Sequence, residues 1–256
     1  MIPTPIRQVL STIRKHQVQA LLMGGQACVF YGAAQFSKDV DLAILADPEN
    51  YTRLLAALAE LGARRIAVPR FDAAVLARGH AVHFRCQAEE VAGLRVDIMT
   101  RLRDLPDFNS MWQRRTTIVD EAGSVFELLA VEDLVQAKKT QREKDWPVIG
   151  ALVEGHFHQF RLEPTPDRIR FWLKEARTPE RLSELVRQFP PEATMWQGDR
   201  PLLAHAIQGD LDALRSALDA EVRAEQAKDR AYWEPLRREL EAFRHEELQG
   251  GTGRTE

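Results

Sequence analysis

The chain has 256 residues, enough for one large domain or two small ones, and 45% of them are hydrophobic, which is ample for a core. The formal net charge is −3, and residues 1–150 carry 19 basic and 18 acidic side chains. This balance argues against bulk electrostatic binding to nucleic acid, so any such contact must be a local patch. Two cysteines are too few for a disulfide scaffold, and no apolar run suits a membrane helix or a signal peptide. We therefore expect reduced cysteines, no membrane contact and a cytoplasmic protein.

The first hundred residues alternate helix-like and strand-like apolar patterns. Helices are predicted at residues 5–16, 25–31 and 51–61, and strands at residues 18–23, 39–45, 64–68, 81–87 and 94–99. After Pro164 helical patterns dominate, with helices predicted at residues 169–176, 180–189, 202–207, 211–227 and 230–247.

Two aspartates, Asp39 and Asp41, lie two positions apart in the predicted strand at residues 39–45. Side chains at i and i+2 of a strand point to the same side of the sheet, so both carboxylates should project from one face. Like charges held this close repel, and the usual compensation is a bound cation such as Mg²⁺, which takes one or two carboxylates plus phosphate oxygens. The turn at Gly24 and Gly25 opens a predicted helix, whose backbone N–H groups suit phosphates. The pattern predicts a metal and nucleotide site.

The spacing of these groups is specific. Thirteen residues separate Gly25 from Asp39, and a third carboxylate, Asp97, lies in the predicted strand at residues 94–99. A hydrophobic run, Gly-Gly, a spacer, Asp-x-Asp and a lone Asp on a later strand, in this order, resemble the nucleotidyltransferase superfamily of the DNA polymerase beta type.

A second segment, residues 129–149, resembles the helix that follows the catalytic core in bacterial toxin-type and related uncharacterised nucleotidyltransferases. The matching positions are Glu132, Asp133, Leu134, Lys138, Arg142, Lys144 and Asp145. The resemblance covers about residues 15–150. It implies an α/β (α+β) fold with a mixed β-sheet and flanking helices over residues 1–150, the nucleotidyltransferase domain. A helical C-terminal region is then expected over residues 151–249 and a disordered tail over residues 250–256.

The resemblance also implies where an NTP, such as ATP, would bind. Gly24 and Gly25 would hold its triphosphate, with Gln26, Ser37 and Lys38 nearby. Many relatives place an arginine and a threonine ahead of the Asp-x-Asp pair, whereas this chain reads QFSK there. Ser37 can act as threonine does, but the arginine's phosphate contact is missing unless Lys38 supplies it.

The catalytic groups follow from the same resemblance. Asp39 and Asp41 would bind two Mg²⁺ ions, and Asp97 would complete the second metal site and help to take the acceptor's proton. Lys138 and Arg142, four residues apart on a predicted helix and so on one face, would neutralise charge on the leaving pyrophosphate. The alternative for these two cations is a surface helix whose charges pair with Glu143 and Asp145.

Two further motifs have competing interpretations. Four arginines surround two aromatic residues in the segment RLRDLPDFNSMWQRR, residues 101–115, which suits either an RNA or nucleotide contact or an ordinary charged loop and helix. His156 and His158 lie two residues apart, but no third ligand is nearby, so zinc is not expected.

The sequence thus predicts a Mg²⁺-dependent transfer of NMP from an NTP to an acceptor hydroxyl. The expected acceptor is RNA, such as a tRNA 3′ end, in a toxin-like or defence-like role with a cognate antitoxin as partner. AMP transfer to a protein or to a small molecule such as an aminoglycoside is an alternative. A non-catalytic antitoxin or binding module on the same fold is another, which the intact Asp39, Asp41 and Asp97 disfavour.

Overall fold

The computed structural model describes residues 3–121 and 123–251. The chain divides into two compact units. The first contains Met1–Phe30, Ala34–Ala137 and Ala231–Glu256, and the second, the helical unit, contains Tyr31–Ala33 and Lys138–Arg230. Of the predicted disordered tail, residues 252–256 lie outside the described residues.

The elements alternate along the first half of the chain and are all helical in the second. The strands are β1 (Ala20–Met23), β2 (Asp39–Ile44), β3 (Arg64–Arg65), β4 (Val82–Arg85), β5 (Arg95–Met99), β6 (Thr116–Val119) and β7 (Val125–Leu128). The α-helices are α1 (Thr4–Lys15), α2 (Gly24–Phe30), α3 (Pro48–Glu60), α4 (Ala73–Ala77), α5 (Phe108–Gln113), α6 (Val131–Lys138), α7 (Asp145–Phe160), α8 (Pro166–Glu175), α9 (Pro179–Gln188), α10 (Pro190–Trp196), α11 (Leu203–Gln208) and α12 (Leu211–Gly251). A short 3₁₀-helix covers Glu89–Val91.

The described strands form one seven-stranded mixed sheet in the order β3-β4-β5-β2-β1-β7-β6. The pairs β2 with β5 and β1 with β7 are parallel, and the remaining neighbours are antiparallel. The predicted α/β fold, a mixed sheet with helices and a helical C-terminal region, is confirmed. Strands β6 and β7 were not predicted, because each has only four residues and neither shows a clean apolar alternation.

Strand β1 is buried on both faces of the sheet. All four residues of β1, the apolar run ALLM, are buried. Helix α3 begins three residues before its predicted start, because the Asp47 side chain accepts hydrogen bonds from the N–H groups of Glu49 and Asn50. Pro48 fits the first helical turn, where its missing N–H costs nothing.

The prediction of one helix over residues 129–149 is wrong. Helix α6 ends at Lys138 and α7 begins at Asp145. Thr140 Oγ1 donates to Asp145 Oδ2 at 2.6 Å, and the Trp146 indole donates to the Thr140 carbonyl oxygen at 3.1 Å. These local side-chain hydrogen bonds compete with the helical pattern and stabilise a turn instead.

The helices of the second half are largely where the pattern places them. Thr178 caps α9 through a hydrogen bond from the Arg181 N–H, as the Thr-Pro pair indicates. Helix α10 was not predicted, and α12 is one continuous helix with Pro235 inside it rather than two. Within the described residues, no helix combines the length and the apolar character needed to cross a membrane.

Candidate functional site

Strand register brings the three predicted aspartates together. Asp41 pairs with Asp97 across the parallel strands β2 and β5, and two residues earlier on both strands Asp39 pairs with Arg95. Paired residues on neighbouring strands share a face, and residues two apart on one strand do as well. Asp39, Asp41 and Asp97 therefore project from one side of the sheet, and we call this surface the carboxylate face.

Strand β4 extends the carboxylate face by one more position. His83 pairs with Asp97 and Arg85 pairs with Arg95 across the antiparallel strands β4 and β5. The alternate residues of these three strands are apolar and at most 6% exposed: Val40, Leu42, Val82, Phe84, Val96 and Ile98. Because these apolar residues are buried on one side of the sheet, the charged residues between them must lie on the other side, which is the carboxylate face.

Asp97 is held by two neighbours. Arg95 Nε donates to Asp97 Oδ1 at 2.7 Å, and His83 Nδ1 lies 2.8 Å from the same oxygen. Burial opposes ionisation of Asp97, but the hydrogen bonds of His83 and Arg95 outweigh it and hold the pKa of this carboxyl below its ordinary value. Asp97 is therefore ionised, with Oδ1 engaged.

Arg95 interacts electrostatically with all three aspartates. Its hydrogen bond to Asp97 is the largest cause of its raised pKa, and the charges of Asp39 and Asp41 also contribute. Arg85, which pairs with Arg95, adds a second guanidinium group to the carboxylate face, but the three carboxylates still outnumber the two guanidinium groups. The carboxylate face is thus suited to a further cation.

The Gly-Gly turn packs against the carboxylate face. Gly24 has a φ of +67°, and a Cβ added there would lie 1.9 Å from Asp41 Oδ2. A Cβ added at Gly25 would lie 2.7 Å from Ser37 Oγ. Residues with a side chain would not allow this close approach at Gly24. The structure thus places Gly24 against Asp41 and Gly25 against Ser37, and all four are predicted site residues.

Gln26 follows the turn and is 1% exposed. Neither Nε2 nor Oε1 of its amide has a hydrogen-bond partner among the described groups. Such unsatisfied buried groups are rare in folded proteins, and a polar group entering beside Gln26 would remove the deficit. Lys38, in contrast, is exposed to solvent.

The carboxylate face fits Mg²⁺ in the kind of ligand it offers. The described residues contain no group of three or more His, Cys, Asp and Glu placed to hold a metal ion by themselves. Mg²⁺ does not require such a cage, because it is commonly bound by one or two carboxylates together with substrate phosphates. Asp39 and Asp41 meet that smaller requirement.

Lys138 and Arg142 belong to the helical unit and both contact Asp145. Lys138 Nζ lies 3.2 Å from Asp145 Oδ1, and Arg142 Nε lies 2.8 Å from Oδ2. Burial opposes ionisation of Asp145, but these cations and the hydrogen bond from Thr140 lower its pKa. The two cations do not share a helical face, because Arg142 lies after the end of α6. Their pairing with Asp145 is the alternative that the sequence left open.

The arginine and aromatic segment is integrated into the fold. Phe108 is 5% exposed and stacks on Trp112 with ring centroids 5.6 Å apart. Arg114 donates to both carboxylate oxygens of Asp133, and the Arg115 guanidinium lies 4.2 Å from the Trp112 ring centroid. These contacts favour the ordinary charged loop and helix.

His156 is a buried neutral base. Its Nδ1 accepts a hydrogen bond of 2.9 Å from the Trp172 indole N–H. Burial, with a smaller contribution from the charge of Arg168, lowers the pKa of His156 to about 4. The Nδ1 atom of His156 is thus engaged by Trp172, and the side chain packs inside the helical unit.

No family model and no curated protein match this chain. Among solved structures, a similar one is the crystal structure of ANT(2″)-Ia in complex with adenylyl-2″-tobramycin. The similarity covers 84% of this chain and 95% of that chain, with 12% sequence identity and a TM-score of 0.33. The likeness is coarse, and at this score it supports no argument about function.

Sequence reasoning did not single out His83 and Arg95, the two neighbours of Asp97. Both alternate with apolar residues, His83 in VHFR and Arg95 in RVDIM, so each could have been assigned to the polar face of its strand. Their contact with Asp97 depends on strand order and register, which the period-2 pattern does not contain.

Proposed function

We propose that this protein is a nucleotidyltransferase that moves an NMP from an NTP to an acceptor hydroxyl at the carboxylate face. One observation carries the proposal: Asp41 and Asp97 are direct neighbours on parallel strands, with Asp39 on the same face and the Gly24 turn against Asp41. Three carboxylates beside a turn without side chains suit a metal-bound triphosphate.

Asp39 and Asp41 would hold Mg²⁺, with Asp97 completing a second ion's site. When bound, Mg²⁺ lowers the pKa of an acceptor hydroxyl and neutralises phosphate charge. Gly24 and Gly25 carry no side chain of their own and are both partly exposed, so their backbone could be approached by phosphates.

The reaction balances as one displacement. The acceptor oxygen attacks the α-phosphorus, the bond from that phosphorus to the bridging oxygen breaks, and pyrophosphate leaves. Asp97 Oδ2, the oxygen that does not accept from Arg95, would help to guide the hydroxyl proton to solvent, because the lowered pKa of Asp97 makes it a weak base.

Two cation roles belong to the proposal. Arg95 faces all three carboxylates, so its guanidinium can make the phosphate contact that the sequence lacks ahead of Asp39. The role of Lys138 and Arg142 on the leaving pyrophosphate requires that they exchange Asp145 for phosphate.

For the acceptor we propose an RNA 3′ end, such as that of tRNA, in a toxin-like or defence-like role with an antitoxin partner. The test incubates purified protein with each α-³²P-labelled NTP, Mg²⁺ and one acceptor pool: total RNA, cell protein or an aminoglycoside mixture. Asp39→Asn/Asp41→Asn is the inactive variant. Asp104→Asn, at a side chain that is 61% exposed, is the matched control.

Label on RNA with wild type and Asp104→Asn alone supports nucleotidyl transfer to RNA and identifies the base. Label on protein or on aminoglycoside retains nucleotidyl transfer and replaces the acceptor. No label in any pool, with every NTP, contradicts the proposed activity.

A further inference from the structure

The helical unit contains a cavity of about 410 Å³ with a basic lining. Its volume lies within the range of small-ligand pockets and exceeds what a single ion needs. Six of its described lining side chains are basic and three are acidic. The basic ones are Lys139, Arg170, Lys174, Arg177, Arg200 and Lys228. We call this site the cationic cavity.

Three of these cations form a buried network with two carboxylates. Lys139 Nζ and Arg177 Nη2 lie 2.7 and 2.8 Å from the two oxygens of Glu175. Arg177 Nη1 and Arg200 Nη2 lie 2.5 and 2.7 Å from Glu221 Oε2. The side chains of Lys139, Arg177 and Arg200 are only 8%, 9% and 5% exposed. All three cations are paired, but they outnumber the two carboxylates by one, and little water screens that excess positive charge.

Arg177 also carries an unsatisfied donor. Its Nε is buried and has no hydrogen-bond partner among the described groups, although both of its terminal nitrogens are paired. A buried donor without an acceptor is uncommon in a native fold and points to an acceptor that the chain itself does not provide.

The outer part of the cavity adds two exposed cations and a partly buried aromatic ring. Arg170 and Lys174 lie four residues apart on α8 and so share a face. The Arg170 guanidinium lies 4.4 Å from the Trp196 ring centroid, and the Lys174 side chain is 61% exposed. Cations beside an aromatic ring are the groups that bind phosphate and stack a base.

We propose that the cationic cavity binds a nucleotide unit, with its phosphate on Arg170, Lys174 and Arg177 and its base against Trp196. The unit is either a free mononucleotide or part of an RNA strand, since both present the same phosphate and base. The basic excess favours an anion, and the volume and the ring favour a base attached to it. This inference does not depend on the reaction proposed above.

Isothermal titration calorimetry tests the proposal on the full chain carrying Asp39→Asn/Asp41→Asn, without divalent cations, so that the carboxylate face is disabled. The probes are the four nucleoside 5′-monophosphates, the four nucleosides and a six-residue RNA of mixed sequence. The variant of interest adds Arg170→Ala/Lys174→Ala. Arg161→Ala/Arg187→Ala is its matched control, because it removes two exposed arginines that do not line the cavity.

We expect a phosphate-bearing probe to bind at least about tenfold more tightly than its nucleoside, and affinity to fall about tenfold or more with Arg170→Ala/Lys174→Ala. The control should bind as the parent does, and Trp196→Phe should remove fluorescence quenching by the probe.

Monophosphate binding identifies a free nucleotide as ligand, and binding of the RNA alone identifies a strand. Equal affinity in both double variants, or no binding by any probe, overturns the proposal. Binding that appears only when Asp39 and Asp41 are intact also overturns it, while leaving the proposed transferase activity standing.

Discussion

The carboxylate face and the cationic cavity use the same charged groups in opposite proportions. Three carboxylates oppose two guanidinium groups on the face, whereas six basic side chains oppose three acidic ones in the cavity. The three aspartates of the face are partly exposed, whereas the three cations of the buried network in the cavity are at most 9% exposed. Changes at the face should therefore alter function more than stability. Changes in the buried network should do the reverse.

The largest effect on stability should come from Arg200→Ala. Arg200 donates to Glu221 and to the carbonyl oxygens of Leu173 and Ala176, so its loss removes one of the two guanidinium partners of Glu221 and the donor of two carbonyl groups. Removing one partner of a buried ion pair costs about 3–5 kcal/mol. Urea unfolding followed by circular dichroism measures the loss. Arg187→Ala, on the exposed side of α9, should change the free energy of unfolding by less than about 0.5 kcal/mol.

At the carboxylate face, Asp41→Asn should lower kcat/KM for nucleotidyl transfer by about 10²–10³-fold, the usual cost of losing one group that stabilises transition-state charge. Its free energy of unfolding should stay within about 1 kcal/mol of the wild type, because the side chain is not fully buried. Steady-state kinetics and urea unfolding on the same preparation separate the two effects. If Asp41→Asn lost much of its stability but kept its kinetics, the carboxylate face would have a structural role and not a catalytic one.

Two glycines separate the effect of backbone strain from that of the site. Gly24 and Gly93 both have positive φ, +67° and +81°, but a Cβ at Gly93 would meet nothing within 4 Å. Alanine at either position should cost about 1 kcal/mol through the backbone. Gly24→Ala also forces Asp41 aside, so it should cost about 1–3 kcal/mol more and weaken nucleotide binding. Similar values for the two variants in urea unfolding would show that Gly24 does not pack on Asp41.

The smallest effect concerns two histidines in different surroundings. His83 lies beside Asp97, whereas His156 accepts from Trp172 and has its pKa lowered to about 4. An unfolded histidine titrates near about 6.5, so the unfolded state binds more protons between that value and about 4. Stability should therefore fall as pH drops through this window, by at most about 3 kcal/mol.

The histidine comparison is checked by urea unfolding at pH 7 and pH 4.5. His156→Gln keeps an acceptor for Trp172 and should flatten the difference, whereas His158→Gln, at a side chain that is 59% exposed, should not. An unchanged pH dependence in His156→Gln would mean that other groups cause it.

The local pattern of apolar and polar residues was sufficient to predict much of the fold and part of the site. The period-2 rule placed Asp39 and Asp41 on one face, and the lone Asp97 in an apolar strand could be matched to them. What the pattern does not contain is strand order, so the direct pairing of Asp41 with Asp97 and the contacts of His83 and Arg95 appear only in the folded sheet.

The failures share a physical cause. The helix predicted through residues 129–149 is interrupted because one carboxylate, Asp145, accepts from Thr140 and attracts both Lys138 and Arg142. Propensity and periodicity describe each residue with its helical neighbours, whereas this turn depends on side-chain contacts over three to seven residues. The cationic cavity was missed for a similar reason, since its lining comes from several helices.

The most direct test of the central claim is the binding of Mn²⁺, as a paramagnetic substitute for Mg²⁺, measured by electron paramagnetic resonance with each α,β-methylene NTP analogue. We expect the wild type to bind Mn²⁺ far more tightly when an analogue is present, and Asp39→Asn/Asp41→Asn to lose that enhancement while Asp104→Asn keeps it. Equal binding of Mn²⁺ and analogue by the wild type and by Asp39→Asn/Asp41→Asn would contradict the assignment of the carboxylate face as the nucleotide site.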